Sequence, residues 1–395
     1  MAHILDTISF GKIVQIRDQL LKAQALGKKV YRLESGDPSF SIAPHVLNAI
    51  REAGEKGKTH YVANNGIPEL QRALKAKLES KNNIAVPSAE NVFVTNGAMH
   101  ALFLTFSSLL DPGDEVIVPD PMWTEVVEHI RLAGGSPVPV KLTAQNSYMY
   151  SPSDIETKIT QRTKVLFLNS PHNPTGAVLD KETLLQIAEI GKRRNLYIVT
   201  DEAYEDVIYE PAVHYSIAAL VPDYLDRIVS IFSFSKSHAM SGLRVGYVVT
   251  TDKRLCERIP KLLRCSINGV NSIAQWAAVA AVSGSSDHMS DMQKEYGYRR
   301  SIMYEAVSGI AGIKPFFPKG AFYLWAELEP NVYKKLHVKD ADELSAFLAD
   351  RGIGNAPGSC FGTCTDAIRF SFSASTEMVR EGSEKLREIL MTCNS

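Results

Sequence analysis

Short apolar runs alternate with amphipathic segments through the middle of this sequence. The runs predict buried strands, at residues 91–95, 115–118, 164–168, 196–200, 228–232 and 243–249. Between them, apolar residues recur at helical spacing, for example over residues 100–110 and 181–192. Because strands that alternate with helices form sheets covered by helices on both faces, the pattern predicts an α/β fold with a mainly parallel sheet.

The pattern differs at both ends of the chain. Before residue 41, helical spacing within residues 9–29 predicts a helix that has Gly27 as its C-cap. A strand at Lys29–Leu33 and a turn at 34–40 are predicted to follow. After about residue 285 it predicts helices near 288–310, 340–351 and 377–392, with short strands at 321–327 and 367–372. We therefore expect a large domain over residues 41–285 and a smaller α+β domain over 286–395, which residues 1–40 join.

Composition narrows the function classes. The 395 residues are 45% hydrophobic and 22% charged, as in ordinary globular proteins, and the net charge of −1 predicts no general attraction to nucleic acid or membranes. No apolar run approaches the ~18 residues of a membrane span, and the N-terminus lacks a signal-peptide pattern. The five cysteines are odd in number and have no metal-site spacing, so we expect reduced thiols, no metal and a cytoplasmic location.

Candidate chemistry centres on Lys236, which lies between two strand-like runs in the segment from Ile231 to Tyr247. Nearby hydroxyls and Arg244 provide the groups that grip a phosphate, and a lysine amine is a Schiff-base former. The segment is therefore typical of a lysine that binds pyridoxal 5′-phosphate (PLP). Two other interpretations remain open from this segment alone: a surface lysine in a polar hairpin, and the S-x-x-K pattern of serine acyl-transfer enzymes, Ser233 to Lys236. The latter family also needs S-D-N and K-T-G, which do not occur here.

Other candidates lie where strands end. The strand, glycine turn and helix at Thr95 to Met99 have the geometry of an anion site, although many such turns bind nothing. Asp201 ends an apolar strand, and Trp123 follows another, where an aromatic ring either stacks on a ligand or belongs to the core. The glycine-rich motifs of dinucleotide and P-loop sites are absent, as is H-E-x-x-H.

Taken together, these motifs resemble the class I/II aminotransferases, PLP enzymes of fold type I. The matching pieces span Gly36 to Arg369 in family order: S-G-D-P, an H-Y loop, T-N-G-A, the aromatic after P-D-P, N-S-P-H-N-P-T-G, D-E-A-Y, S-F-S-K-x-x-x-x-x-G-x-R-x-G and R-F-S-F. The resemblance implies a ping-pong transfer of an amino group from an L-amino acid to a 2-oxo acid.

It also implies roles for the residues of the chemical centre. Lys236 resembles the lysine that forms the internal aldimine and then moves a proton between the substrate Cα and C4′ of the cofactor. Asp201 resembles the acid that pairs with the pyridinium nitrogen, and Asn173 and Tyr204 resemble the partners of the ring 3-oxygen.

The remaining implied roles concern binding. Trp123 resembles the ring-stacking aromatic, and Arg369 the arginine that binds the substrate α-carboxylate, close to Gly36. Tyr61 resembles a tyrosine that reaches the phosphate of the neighbouring subunit, which implies a homodimer. The phosphate cradle is implied to consist of Ser233, Ser235, Arg244 and the backbone N–H groups of Ala98 and Met99.

Substrate choice is less constrained. One aminotransferase subgroup has a lysine where this chain has Met99, and another uses an arginine across the dimer, which Arg264 matches with imperfect spacing. We therefore expect neutral or aromatic donors, with an acidic donor read by Arg264 as an open alternative. His172 is either a solvated loop residue or part of the site, and His238 is either functional or a packing residue.

Two rival functions keep the same fold. A PLP-dependent lyase, synthase or amino-acid oxidase needs the same lysine and aspartate. A PLP-binding transcription regulator needs an added DNA-binding domain, for which the residues before Gly36 offer one helix and no basic cluster.

Overall fold

Two β-sheets organise the fold, which we describe from a computed structural model for residues 5, 6, 8 and 11–392. Within these residues the larger sheet has seven strands: β1 (Val92–Thr95), β2 (Glu115–Asp120), β3 (Ser136–Lys141), β4 (Thr163–Asn169), β5 (Tyr197–Asp201), β6 (Ile228–Ser233) and β7 (Gly246–Val249). Their order is β1-β7-β6-β5-β4-β2-β3, and neighbours are parallel except at β7, which is antiparallel to β1 and β6. The predicted mainly parallel sheet is confirmed.

Successive side chains along each central strand enter two different cores. On β4, Val165 and Phe167 belong to one core cluster, whereas Leu166 and Leu168 belong to another. This follows from the two-residue period of a strand, which sends alternate side chains to opposite faces. Both faces are therefore covered, and only the ends of the central strands are free to present polar groups.

The smaller sheet is antiparallel. Its strands are β8 (Ile313–Pro315), β9 (Tyr323–Leu328), β10 (Ala356–Pro357) and β11 (Ala367–Ser371), in the order β10-β11-β9-β8. Here β9 and β11 correspond to the two short strands predicted near the C-terminus. A separate core cluster surrounds this sheet.

The predicted strand at Lys29–Leu33 is wrong. Only Tyr31 pairs, in an isolated bridge to Ile353. The chain then turns back on itself, because the N–H of Leu33 donates to the carbonyl of Tyr31 at 2.9 Å, and this turn ends the pairing. The segment still lies against the second half of the chain, since Ser371 donates its N–H to the carbonyl of Leu33 at 2.6 Å. The domain boundaries stay a prediction.

Fifteen α-helices complete the described part of the chain. They are α1 (Lys12–Ala25), α2 (Pro44–Glu55), α3 (Pro68–Ser80), α4 (Gly97–Leu109), α5 (Glu125–Leu132), α6 (Pro152–Lys158), α7 (Lys181–Arg194), α8 (Ile217–Leu220), α9 (Phe234–Ser237), α10 (Lys253–Ser266), α11 (Ser272–Ser283), α12 (Asp287–Ser308), α13 (Pro330–Leu336), α14 (Ala341–Asp350) and α15 (Thr376–Thr392). Across the described residues, no helix is both long and apolar enough to cross a membrane. Cys393 lies outside them, and the other four cysteines are free thiols.

Candidate active site

Lys236 lies on α9, the short helix that directly follows β6. The helix begins there because the Ser233 hydroxyl accepts the N–H of Ser235 at 3.1 Å, which caps the first turn. Lys236 Nζ donates to the carbonyl of Gly36 at 2.6 Å and forms no salt bridge with any described carboxylate. The side chain lines a cavity of about 520 Å³, so the surface-hairpin interpretation of this lysine is wrong.

Asp201 lines the same cavity from the end of β5. Strand register places Asp201 beside Asn169 at the end of β4 and beside Ile231 on β6, at the edge where parallel sheets carry ligands. Burial raises the pKa of Asp201 from 3.8 to about 6, although the Ala203 N–H and the charge of Lys236 both lower it. The cavity therefore contains a buried carboxylate whose charge would be stabilised by a protonated ligand nitrogen.

Asn173 and Tyr204 also reach the cavity. The N–H of Asn173 donates to Asn169 Oδ1 at 2.9 Å, which fixes the loop after β4. Tyr204 Oη lies 2.9 Å from Tyr323 Oη, and burial raises the pKa of Tyr204 well above its ordinary value. Both residues are therefore held as neutral hydrogen-bonding groups at fixed positions.

Arg369 is buried beneath the cavity on β11. Its Nη1 donates to Asn173 Oδ1 at 3.0 Å and its Nη2 donates to the carbonyl of Glu34 at 2.8 Å. Its Nε is buried without a hydrogen-bond partner. The guanidinium also lies over the ring of Tyr323, 4.2 Å from the centroid. A buried cation held by neutral oxygens, with one donor unpaired, is suited to binding a carboxylate.

The opposite end of the cavity is suited to a phosphate. The N-terminus of α4 presents the free N–H groups of Ala98 and Met99, and a helix N-terminus attracts anions. Arg244 lies beside it and donates to the carbonyl of Ser241 at 2.8 Å, without a salt bridge to any described acid. Gly97 has φ +80°, and an ideal Cβ there would lie 2.5 Å from Arg244 Nη2. Both the backbone conformation and the close contact with Arg244 therefore favour glycine at this position.

The cavity thus unites most of the predicted site. Its lining includes Gly36, Ala98, Met99, Trp123, Asn173, Asp201, Tyr204, Ser233, Ser235, Lys236, Arg244 and Arg369. Tyr61 is not part of the lining, and 90% of its surface is exposed in the single chain. Arg264 is also exposed and lies outside the lining.

The structure distinguishes the two histidines left open by the sequence, since His172 is buried and His238 is partly buried. His172 is buried, its Nδ1 lies 2.7 Å from Thr175 Oγ1, and burial lowers its pKa to about 3, so the solvated-loop interpretation is wrong. His238 packs its ring 5.2 Å from that of Phe234, outside the cavity lining. The geometry of His238 is that of a packing residue.

Sequence reasoning missed several lining residues, among them Tyr323, Glu34, Arg32 and Glu125. Tyr323 approaches Gly36 so closely that a Cβ on Gly36 would overlap the tyrosine hydroxyl. Its signal in the sequence is weak, because Tyr323 stands in an apolar strand where an aromatic residue predicts core. The signal of Glu125 is also weak, because acids are common in the first turn of a helix for structural reasons alone.

The residues present fit PLP. Lys236 would bind its aldehyde carbon, Asp201 its ring nitrogen, and Arg244 with the α4 N-terminus its phosphate. The buried and unpaired Nε of Arg369 would serve the carboxylate of a substrate, and Gly97 leaves room for Arg244 beside the N-terminus of α4, where the phosphate would lie. Enzymes of fold type I combine this site with a mainly parallel seven-stranded sheet, and this chain has that fold.

Comparisons with known proteins define the family. The model of the family "Aminotransferase class I and II" matches residues 28–386. An aspartate aminotransferase of Musicola paradisiaca is 34% identical over 392 residues, which cover 99% of this chain and 96% of that protein. Among solved structures, the aspartate aminotransferase from Thermus thermophilus with maleate has a TM-score of 0.92 at 31% identity, covering 98% of this chain and 99% of that one. The alanine aminotransferase from Pyrococcus furiosus has a TM-score of 0.91 at 28% identity, covering 99% of each chain.

The chain belongs to the class I and II aminotransferase family. It is a PLP-dependent aminotransferase, and the relatives give no support to a lyase, synthase or oxidase on the same fold.

Proposed function

We propose that the cavity transfers the amino group of a non-acidic L-amino acid to a 2-oxo acid, with the predicted residues in the roles described below. The observation that supports this most strongly is the placement of Lys236 Nζ, without a carboxylate partner, in one cavity with the buried Asp201. The reaction is balanced without an added oxidant, since the donor becomes a 2-oxo acid while the acceptor becomes an amino acid.

PLP, when bound, supplies the electron-accepting ring and carries the amino group between the two substrates. Lys236 Nζ would take the proton from the donor Cα and return it at the cofactor carbon C4′. Asp201 would keep the ring nitrogen protonated, because a carboxylate held in a buried site gains most from a charged partner. Asn173 and Tyr204 would donate hydrogen bonds to the ring 3-oxygen.

Arg369 binds the α-carboxylate that every donor and acceptor shares. Hydrogen bonds to Asn173 and Glu34 fix the position of its guanidinium, which would orient the substrate relative to Lys236. Trp123, Ser233, Ser235 and Arg244 line the cavity, where Trp123 would cover the ring of the cofactor and the other three would hold its phosphate. Gly36 allows the backbone to approach the carboxylate closely.

The donor is not settled by the relatives, whose names include both aspartate and alanine aminotransferases. Met99 supports a donor without an acidic side chain, since it lines the cavity where one subgroup of the family has a lysine. The prediction of neutral or aromatic donors therefore stands as a proposal. Aspartate is the second candidate donor, which the names of the relatives favour.

We further propose a homodimer in which Tyr61 reaches the phosphate site of the partner subunit. The exposure of Tyr61 in the single chain supports this, because a tyrosine with 90% of its surface in water makes no use of its ring or hydroxyl. A contribution of Arg264 across the dimer and a cytoplasmic location stay predictions.

The experiment that tests the proposed function follows the nitrogen. Purified protein with PLP is incubated with donors labelled with ¹⁵N at the α-amino group and with 2-oxoglutarate. We expect the label in glutamate, with no release of labelled ammonia, and no transfer by the variant Lys236→Ala. Labelled ammonia without labelled glutamate would contradict amino transfer and support a lyase or an oxidase.

A further inference from the structure

Among the acids of the described cavity lining, Glu125 has neither a side-chain partner nor a proposed role toward the cofactor. The lining holds two further acids besides Asp201 and Glu125, and each has a side-chain partner: Glu34 pairs with Arg32, and Asp37 accepts the hydroxyl of Ser241. Asp201 accepts the Ala203 N–H at 3.0 Å and has its proposed role toward the cofactor. Within residues 11–392, Glu125 forms no hydrogen bond or salt bridge with another side chain, although its Oε2 is buried.

The environment of Glu125 disfavours its negative charge. Burial raises the pKa of this carboxyl, while its own backbone N–H and the charge of Arg369 lower it, and Glu128 raises it further. Arg369 acts here only through its electric field, because it forms no salt bridge with Glu125 and is bonded to Asn173 and Glu34. A cation bound in the cavity would relieve the unfavourable burial.

A purely structural role does not explain this placement. Glu125 occupies the first position of α5, where any acid interacts favourably with the helix dipole. That interaction does not require the side chain to line the cavity. Glu128, one turn later on the same helix, instead pairs with Arg131 at 3.1 Å and is absent from the lining.

Part of the wall of the cavity that Glu125 lines is apolar. Ile13 and Val14 of α1 and Met99 of α4 line the same cavity. An aliphatic stem that ends in a positive charge matches both features, since methylene groups pack on apolar side chains while the charged end meets the carboxylate. Two cations of the described lining have no proposed role, and each is bonded to a nearby acid: Arg17 to Asp18 and Arg32 to Glu34.

We propose that Glu125 determines donor specificity by binding a positively charged side chain, so that the enzyme prefers basic L-amino acids of the lysine, ornithine and arginine type. This inference rests on the proposed amino transfer and goes beyond the expected neutral or aromatic donors. It also separates this chain from the relatives named for aspartate.

The test compares two donors of nearly equal shape and different charge, L-arginine and L-citrulline, in steady-state amino transfer by the holoenzyme. We expect wild-type kcat/KM to be about tenfold to hundredfold higher for arginine than for citrulline, because only arginine forms a charge-assisted hydrogen bond with Glu125. Glu125→Gln should reduce the ratio to about one, mainly through the value for arginine. Glu128→Gln makes the same chemical change one turn away and should leave the ratio at its wild-type value.

Several results would overturn the inference. Equal wild-type use of arginine and citrulline, or a wild-type preference for L-aspartate, would contradict it while leaving amino transfer intact, and neither result depends on whether a variant folds. An equal loss for all donors in Glu125→Gln would assign the residue a structural role. No transfer from any donor would instead contradict the proposed function on which the inference rests.

Discussion

At Asp201, burial opposes the charge that the proposed function requires. The strand end places the carboxylate inside the protein, where its pKa rises to about 6, and the proposed partner that stabilises the charge is the ring nitrogen of the cofactor. The apoprotein therefore contains an unfavourable group that PLP converts into a favourable one. This is a case in which a functional residue lowers the stability of the unliganded fold.

The variant Asp201→Asn should show this conflict directly. An acid with a raised folded-state pKa costs stability as pH rises from 3.8 to about 6, and the cost stays constant above that range. Without PLP, we expect the variant to be more stable than the wild type by up to about 3 kcal/mol at pH 7 and by about half as much at pH 5. With PLP, it should lose amino-transfer activity. Denaturant unfolding of both apoproteins at the two pH values measures the difference.

Asp223→Asn is the matched control. Asp223 is exposed, and its hydrogen bond with Lys192 lowers its pKa, so the same substitution should not stabilise the protein. Greater stability of the wild-type apoprotein at pH 7 would show that Asp201 is not held in an unfavourable charged state.

At the residue level, the sequence indicated cavity-lining residues where a polar residue interrupts an apolar pattern. Asp201 and Lys236 stand out in this way, whereas the family resemblance alone pointed to Arg369, and all three residues line one cavity. Tyr323 and Glu125 were not predicted, because a tyrosine in a strand and a glutamate in a first helical turn are both expected for structural reasons alone.

At the scale of elements, the ends of strands assemble the site. The parallel strands β4, β5 and β6 end side by side, which brings the Asn169, Asp201 and Ser233 positions to one edge of the sheet. The strand β1 joins the same sheet through β7, and its following helix α4 directs its N-terminus at Arg244. The phosphate end of the cavity therefore depends on the turn between β1 and α4.

The variant Gly97→Ala tests this turn. An alanine at φ +80° costs about 1–2 kcal/mol, and its Cβ would displace Arg244 Nη2. We expect the dissociation constant for PLP to rise about tenfold or more, with the folded structure retained. Absorbance titration of the apoprotein with PLP measures the affinity, and circular dichroism reports the fold.

A control for the loss of glycine itself is Gly54→Ala in α2. A Cβ at Gly54 would meet nothing within 4 Å, so alanine should stabilise the helix by about 0.5–1 kcal/mol without affecting PLP affinity. Unchanged PLP affinity in Gly97→Ala would remove the β1–α4 turn from the proposed phosphate site.

The elements that the sequence predicted are those with a clear hydrophobic pattern. The buried central strands are continuous apolar runs, and they were found within a few residues. The edge strand β3 was missed, since its sequence S-P-V-P-V-K contains two prolines, which argue against a strand. The helix α4 begins at Gly97 rather than at His100 as expected, because the glycine turn forms its first residue.

At the scale of the whole molecule, a single chain leaves Tyr61 without a function. The loop that carries it is exposed, whereas the phosphate end of the cavity is defined by Ser233, Ser235 and Arg244 of the same chain. A second copy of the chain is the partner that the proposed dimer supplies. No pattern within one sequence specifies which surface pairs with which, so the resemblance to the family alone predicted this feature.

Sedimentation equilibrium should therefore give twice the chain mass of 43.5 kDa. We expect Tyr61→Phe to keep this mass and to raise the dissociation constant for PLP about tenfold, through loss of one charge-assisted hydrogen bond. Tyr298→Phe removes the hydroxyl of another exposed tyrosine, outside the cavity, and should change neither quantity. An active monomer, or full PLP affinity in Tyr61→Phe, would contradict the shared site.

The most direct test of the central claim, that Lys236 binds PLP and this cavity transfers amino groups, is the visible absorption spectrum of the purified protein during a half-reaction. The account predicts a band of lysine-bound PLP that disappears when a donor amino acid is added and returns when a 2-oxo acid is added. The same band should be absent from Lys236→Ala. A band that persists in this variant, or one that no amino acid alters in the wild type, would contradict it.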